Sequence, residues 1–292
     1  MSTPLIGHKR QLDYLNRVIE RDALAHAYLF YGPAHVGKTT VAQEIARRLD
    51  AEVTLLDRQH PLVAEKDEPK EIPIADIREL KRRFSFAAHG DRWRVAIIDE
   101  ADTMSEEAAN AFLKLLEEPG GRTLFFLIAG RREALPPTVV SRCCPVRFAA
   151  VPEDDMMAIK KEYGIAEPSW QKFLAIAAGR PGLAVRFCQD EEYAARELSL
   201  FNEAARAFRA KDPLMALGLV ARHAGDETSG ERLMEYCFRY LRKELIRSPA
   251  DAGARRDVLE RVARADRAAM MLATSNVQPR LALESMMLSA LG

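Results

Sequence analysis

The stretch FYGPAHVGKTTVAQ, residues 30–43, reads as the end of a strand, a loop bracketed by glycines and the start of a helix. Its central segment, which we call the glycine loop (residues 32–39), is Gly32-Pro33-Ala34-His35-Val36-Gly37-Lys38-Thr39 and matches G-x-x-x-x-G-K-[ST] in full. The glycines permit a turn that points successive N–H groups at phosphate oxygens, and the following helix adds its positive end. The glycine loop, continued by Thr40, is therefore predicted to bind the phosphates of ATP or ADP.

Short apolar runs alternate with helical patterns around the glycine loop. The predicted strands are at 25–32, 53–57, 93–99, 123–130 and 145–148, and the predicted helices are at 10–21, 38–50, 77–86 and 105–118. Asp76 and Ser105 are expected to cap the last two helices, and the charged, proline-containing segment 58–73 is expected to be a loop. Continuous apolar strands separated by helices are typical of a parallel sheet covered on both faces. The sequence thus predicts an α/β domain with a parallel five-stranded sheet.

The second half of the chain has a different pattern. After about residue 149 no further strand is predicted, and alanine-rich helical segments run to the end. The segment AAGRPGLAVRF (177–187) is interpreted as a turn between helices of a small bundle. We therefore predict three domains: an α/β nucleotide-binding domain over 1–148, a small helical lid over 149–191, and an all-α domain over 192–292.

The composition limits the classes of function. Lys plus Arg and Asp plus Glu both total 43 of the 292 residues, so the formal net charge is zero. A protein that coats nucleic acid alone is usually basic, so any DNA contact is expected to be local or shared with partners. The four cysteines form no C-x-x-C pair, which argues against zinc and against a disulfide scaffold. We find neither a secretory signal nor an apolar run long enough to cross a membrane, and we expect a cytoplasmic protein.

Two acidic residues follow the third predicted strand, in VAIIDEAD (95–102). In a parallel sheet the carboxyl ends of all strands lie at one edge, and ligands usually bind at that edge. Asp99 is suited to bind Mg²⁺ together with the Thr39 hydroxyl, and Glu100 is suited to act as general base on an attacking water. Alone, this pattern is typical of a solvated turn; after a complete glycine loop, whose Lys38 would reach the β- and γ-phosphates, it indicates a nucleotide site.

These motifs resemble the AAA+ ATPase family, and other segments narrow the resemblance to bacterial clamp-loader subunits of DNA polymerase III. The segments that carry it are LIGHKRQLDYL (5–15), ALAHAYLFYGP (23–33), ADTMSEEAANAFLKLLEEP (101–119) and LPPTVVSRC (135–143). GRPGLAVRF (179–187) and NVQPRLALESMMLSAL (276–291) are similar to delta-prime subunits in particular. The resemblance implies an AAA+ core, a helical lid, and a C-terminal collar that joins the subunits of a hetero-pentamer.

The resemblance also implies a role for Arg142, in the Ser-Arg-Cys element. In the family this arginine projects toward the γ-phosphate held by a neighbouring subunit, where it stabilises transition-state charge. Taken alone, Arg142 would be interpreted as an ordinary surface residue before a strand. The implied partners are gamma/tau-type motor subunits and a delta-type subunit, together with the sliding clamp and primer–template DNA.

The sequence departs from the family pattern in three places. The motor subunits carry Thr or Asn after the fourth strand, where this chain has Ala129-Gly130. They also carry a lid arginine at the position that corresponds to Gly182 here, and Arg180 lies two residues earlier. Delta-prime subunits commonly contain a zinc module, but no cysteine precedes Cys143 here, so no zinc is expected. We expect ATP or ADP to be held with Mg²⁺ and turned over slowly or not at all by the chain alone.

The sequence leaves two alternatives open. A gamma/tau-like motor would hydrolyse its own ATP, and Glu100 keeps weak hydrolysis possible. A small-molecule P-loop kinase would share the glycine loop, but the Ser-Arg-Cys element, the lid turn and the helical third domain argue against it.

Overall fold

The computed structural model describes residues 5–57, 71–85, 92–223, 227–247, 252–274 and 279–291. Most of the loop predicted over 58–73 lies outside the described residues, as do residues 276–278 at the start of the C-terminal segment. The chain divides into two compact units, Met1–Gln189 and Asp190–Gly292. The division into 1–148, 149–191 and 192–292 stays a prediction.

The first unit begins with an α/β region, in which helices alternate with the strands of a parallel sheet. Its elements are α1 (Lys9–Glu20), β1 (Ala27–Tyr31), α2 (Lys38–Arg48), β2 (Glu52–Leu56), α3 (Ile74–Ser85), β3 (Arg94–Ile98), α4 (Glu106–Glu117), β4 (Thr123–Ala129), α5 (Pro137–Val140) and β5 (Cys144–Arg147). All strand pairs are parallel, in the order β2-β3-β4-β1-β5. The predicted parallel five-stranded sheet is confirmed. Because its strands are parallel, the glycine loop after β1 and Asp99 after β3 emerge at the same edge.

Hydrophobic residues cover both faces of this sheet. All seven residues of β4 are buried, as expected for a strand with helices on either side. On one face, Phe126 packs in a cluster with Ile45 of α2. On the other face, Phe125 packs in a cluster with Phe112 of α4, and their rings are 5.4 Å apart in an edge-to-face arrangement. The packed sheet is the rigid support from which the edge loops project.

The two predicted helix caps have different outcomes. Ser105 is the N-cap of α4, and its Oγ accepts the N–H of Ala108 at 3.1 Å, as predicted. Asp76 is not a cap, because α3 begins at Ile74 and places Asp76 in its first turn. The chain just before α3 is fixed by tertiary contacts, since the Ile72 N–H donates to the Thr103 carbonyl at 2.9 Å. In the first turn the Asp76 carboxylate still interacts favourably with the helix dipole.

Replacing Ser105 with alanine should lower the free energy of unfolding by about 1 kcal/mol. The physical reason is that the Ala108 N–H loses its only side-chain acceptor in the described structure. Urea denaturation followed by circular dichroism measures the change. Ser199→Ala, at an exposed position inside a helix, is the control and should shift stability by less than about 0.5 kcal/mol. Equal midpoints for Ser105→Ala and the wild type would contradict the cap.

The first unit ends with three helices: α6 (Glu153–Tyr163), α7 (Glu167–Ala177) and α8 (Pro181–Gln189). The turn predicted over 177–187 is shorter than expected and covers only 178–180. Ala178 and Gly179 have φ angles of 47° and 76°, which end α7 in the left-handed region. Pro181 then starts α8 at once, because its fixed φ suits the first helical position.

The second unit is helical throughout the residues described for it. Its helices are α9 (Glu191–Ala210), α10 (Pro213–His223), α11 (Glu227–Arg247), α12 (Ala252–Thr274) and α13 (Pro279–Leu291). Met286 and Met287 of α13 are fully buried among these helices. The predicted change from α/β to all-α is confirmed. None of the described helices has the length and apolar character needed to cross a membrane.

Candidate functional site

The backbone of the glycine loop favours glycine at positions 32 and 37. Gly32 has a φ of 141°, and a Cβ placed there would lie 2.1 Å from the Phe148 carbonyl oxygen. Gly37 has a φ of 105° and is the N-cap of α2. His35, between them, also has a positive φ of 61°. Because L side chains rarely adopt these angles, the turn depends on the two glycines that the motif specifies.

Lys38 places a positive charge inside this turn. Only 7% of the residue is exposed, and its Nζ donates to the carbonyls of Gly32 and Pro33 at 2.7 Å each. Burial lowers the pKa of Lys38, while the nearby carboxylates of Asp99 and Asp102 act in the opposite direction. The ammonium group is therefore desolvated and held at the centre of the loop, where an anion would interact with it strongly.

A hydroxyl and a carboxylate meet beside Lys38. Thr39, in the first turn of α2, donates from Oγ1 to Oδ2 of Asp99 at 2.6 Å. The other Asp99 oxygen, Oδ1, accepts the N–H of Glu100 at 2.9 Å. Hydroxyl and carboxylate oxygens are ligands that Mg²⁺ prefers, and such sites are usually completed by water and substrate phosphates. The donor set of Thr39 and Asp99 therefore fits the Mg²⁺ that accompanies a nucleotide.

The remaining predicted residues lie around this centre. Glu100 is exposed at the same sheet edge, with a φ of 50°, and begins a short 3₁₀ turn over Ala101–Thr103. Pro33, Ala34 and His35 are exposed, Val36 is buried, and Thr40 is half-buried. The sheet thus brings the glycine loop, Thr40, Asp99 and Glu100 to one edge.

Two further residues hold the glycine loop, and neither was predicted from the sequence to lie at the site. The Nε2 of His8 lies 2.7 Å from the Val36 carbonyl oxygen, and the His8 ring packs 4.7 Å from the ring of Phe148. Burial is the main cause of a lowered pKa for His8. At the start of α8, the N–H of Gly182 donates to the His35 carbonyl at 2.9 Å. A cavity of about 40 Å³ lies between these elements and the loop.

The position after β4 contributes a backbone group to the same edge. The N–H of Gly130 donates to Oδ2 of Asp102 at 2.9 Å. A Cβ at Gly130 would lie only 3.3 Å from that oxygen, a contact tighter than is usual. A glycine at this position therefore lets the Asp102 carboxylate approach the backbone closely, and it presents no polar side chain to the site.

Arg180 is bound to the end of α7. It is 7% exposed, its Nε donates to the Ala177 carbonyl at 2.9 Å, and one terminal nitrogen donates to the Ile176 carbonyl at 3.2 Å. These are carbonyls of the last turn, which lack partners within the helix. The structure thus uses this buried arginine as a C-terminal cap.

Arg142 lies at the amino-terminal ends of the parallel strands, whereas the glycine loop lies at their carboxyl-terminal ends. Arg142 comes just before β5, which pairs with β1 in the register Tyr28 to Cys144 and Tyr31 to Arg147. Cys144 is level with Tyr28, and Gly32 lies four residues further along the chain. At about 3.3 Å per residue of strand, this separation is about 13 Å. The Arg142 guanidinium donates instead to Glu117, at 2.7 Å.

Comparison with family models matches residues 7–152, half of the chain, to the family described as "DNA polymerase III, delta subunit". This range contains all five strands and every predicted site residue. The chain belongs to the DNA polymerase III clamp-loader subunit family. This membership leaves the small-molecule kinase alternative without support.

Curated relatives include more than one type of subunit. A delta' subunit from Pseudomonas aeruginosa is 33% identical over 185 residues, covering 56% of this chain and 55% of the relative. The tau subunit of Escherichia coli is 28% identical over 250 residues, covering 79% of this chain and 39% of the relative. This clamp-loader chain therefore spans less than two thirds of the length of either relative.

Solved structures with the same fold cover nearly the whole chain. A gamma subunit-related protein of DNA polymerase III from Thermotoga maritima has a TM-score of 0.52 at 20% identity, covering 95% of this chain and 97% of its own. RuvB from the same organism has a TM-score of 0.51 at 16% identity, covering 94% of this chain and 87% of its own. At these identities the likeness concerns the fold alone, and the predicted AAA+ fold is confirmed.

Proposed function

We propose that this clamp-loader subunit is of the delta-prime type: it holds ATP or ADP at its glycine loop and supplies Arg142 to the nucleotide of a neighbouring subunit. The observation that carries the proposal is the location of Arg142 at the amino-terminal ends of the strands, away from the chain's own glycine loop at their carboxyl-terminal ends. A partly exposed arginine so placed is unsuited to its own nucleotide and accessible to a neighbour's. An arginine supplied across an interface stabilises the charge of phosphoryl transfer and makes hydrolysis depend on assembly.

The edge formed by Lys38, Thr39 and Asp99 supports nucleotide binding. The loop amides and the desolvated Lys38 would bind the β- and γ-phosphates, and Thr39 with Asp99 would hold Mg²⁺. When bound, the metal would neutralise phosphate charge. Gly32 supports the same assignment, because the nearby backbone leaves no room for a side chain there.

The surroundings of the loop support slow independent turnover. Gly130 offers only its amide, which Asp102 accepts, and Arg180 is buried on the end of α7. No polar side chain is therefore contributed by these two positions to orient water or to contact a γ-phosphate. The motor alternative rests on Glu100, which follows Asp99 directly at the edge of the site.

Family membership supports the choice of partners. We propose that the chain assembles in the cytoplasm with gamma/tau-type motor subunits and a delta-type subunit in a hetero-pentamer, which loads the sliding clamp on primer–template DNA. Residues 192–292 would be the collar that joins the subunits, and 149–191 the lid. The zero net charge agrees with DNA contacts that are shared among the subunits.

The isolated chain should bind Mg²⁺-ATP but release phosphate slowly or not at all. The physical reason is that turnover needs positioned polar groups that Gly130 and Arg180 do not supply. Equilibrium binding of a fluorescent ATP analogue, with steady-state phosphate release in excess ATP, measures both properties. Glu106→Gln, at an exposed position on α4, is the control. Sustained turnover that Glu100→Gln abolishes would favour the motor alternative over the proposal.

A further inference from the structure

Three acceptors hold the side chain of Arg142: Glu117 and Thr138, which lie on different elements, and more weakly the Ser141 Oγ at 3.5 Å. One terminal nitrogen donates to Oε1 of Glu117 at 2.7 Å, and the other donates to the Thr138 carbonyl at 3.0 Å. The side chains of Arg142 and Glu117 are nevertheless 37% and 49% exposed. The guanidinium is therefore oriented and still accessible from outside.

The Glu117 contact is unlike the local ion pairs of the same unit. Glu44 and Glu79 each pair with arginines three and four residues further along their own helices. Glu117 instead pairs with a residue 25 positions away on another element. Local helix stabilisation, which explains the pairs of Glu44 and Glu79, does not explain this one.

The location of Glu117 is also unfavourable for its own helix. It is the last residue of α4, where the helix dipole is negative and where a cation would be preferred. Thr138 lies in the four-residue helix α5, and its carbonyl accepts the Ser141 hydroxyl at 3.0 Å as well as the Arg142 guanidinium. A carboxylate and a backbone carbonyl thus form a small site of acceptor oxygens that is complementary to the guanidinium of Arg142.

From this geometry we infer that Glu117 is the positioning residue of Arg142, holding its guanidinium in the orientation in which it meets the neighbour's nucleotide. The inference rests on the proposed role of Arg142 in trans. A long side chain that is free in solution loses conformational entropy when it is ordered, and prior ordering by Glu117 reduces this cost. A guanidinium has five N–H donors, so it can bind Glu117 and a phosphate oxygen at the same time.

A double-mutant cycle in the reconstituted loader tests the inference. Glu117→Ala should lower the kcat of DNA- and clamp-stimulated ATP hydrolysis by about 3- to 30-fold with KM for ATP unchanged. Glu117→Gln, which retains a hydrogen-bond acceptor, should recover part of this loss. Glu118→Ala is the matched control, because Glu118 is the exposed adjacent acid and is not among the hydrogen-bond acceptors described for Arg142. Adding Glu117→Ala to Arg142→Ala should cause no further loss.

The outcomes separate the inference from the proposed function. If Arg142→Ala lowers hydrolysis but neither Glu117 variant does, the positioning role is wrong and the role of Arg142 stands. A loss from Glu117→Ala that persists in full without Arg142 would also overturn the inference, because Glu117 would then act on another group. If Arg142→Ala itself has no effect, the proposed function and the inference both fail. Size-exclusion chromatography of every variant confirms that assembly is intact.

Discussion

Replacing Arg142 with alanine should lower the DNA- and clamp-stimulated ATP hydrolysis of the reconstituted loader about 10- to 1,000-fold. The variant removes a positive charge that we place beside the transferring phosphate of the neighbouring subunit. Because the Arg142 side chain is 37% exposed, its truncation opens no cavity in the core, and folding should be unaffected. The loss should therefore appear in kcat of the assembled complex and not in nucleotide binding by the isolated chain.

Arg47→Ala is the matched control for this experiment. Arg47 is also an exposed arginine paired with a glutamate, Glu44 at 2.8 Å, so its removal breaks an equivalent surface contact. The control should hydrolyse ATP at the wild-type rate. Unchanged hydrolysis by Arg142→Ala, in a complex that assembles normally, would show that this arginine does not act in trans. The glycine loop would then be the place to look for activity of this chain.

Replacing Lys38 with methionine should weaken Mg²⁺-ATP binding by the isolated chain about 10- to 150-fold, the cost of losing a hydrogen bond to a charged group. Methionine retains much of the aliphatic stem that is buried in the loop, and it removes the ammonium group. At 7% exposure this charge is poorly screened by water, so it contributes more to anion binding than a surface lysine would.

Isothermal titration with ATP measures the effect of Lys38→Met, and circular dichroism verifies that the variant is folded. Lys114→Met is the control, because Lys114 is exposed on α4 and should have no influence on affinity. Wild-type affinity in Lys38→Met would show that nucleotide is held somewhere other than the glycine loop. Weakened ATP binding together with normal stimulation through Arg142 would show that the two roles of the subunit are separable.

Local sequence was sufficient where neighbouring residues determine the conformation. The turn of the glycine loop follows from local sequence, because it depends on glycines at Gly32 and Gly37, whose φ angles are 141° and 105°; its binding of nucleotide stays a prediction. Ser105 was predicted as a cap because its hydroxyl bonds an N–H three residues away. Asp76 was predicted wrongly, since the start of α3 follows from the pairing of Ile72 with Thr103 across the fold.

The sequence by itself determined the order of strands and helices, the glycine loop, and the two acids that follow β3. Only the tertiary structure decided the strand order β2-β3-β4-β1-β5. In this sheet the Thr39 hydroxyl lies 2.6 Å from Asp99, and Arg142 lies at the other ends of the strands from the glycine loop. The tertiary structure also decided the contacts of His8 with Val36 and of Glu117 with Arg142. These pairs are 28 and 25 residues apart, and no periodicity of the sequence encodes them. They form because packing of whole elements brings distant side chains together, whereas turns and caps form within a few residues of chain.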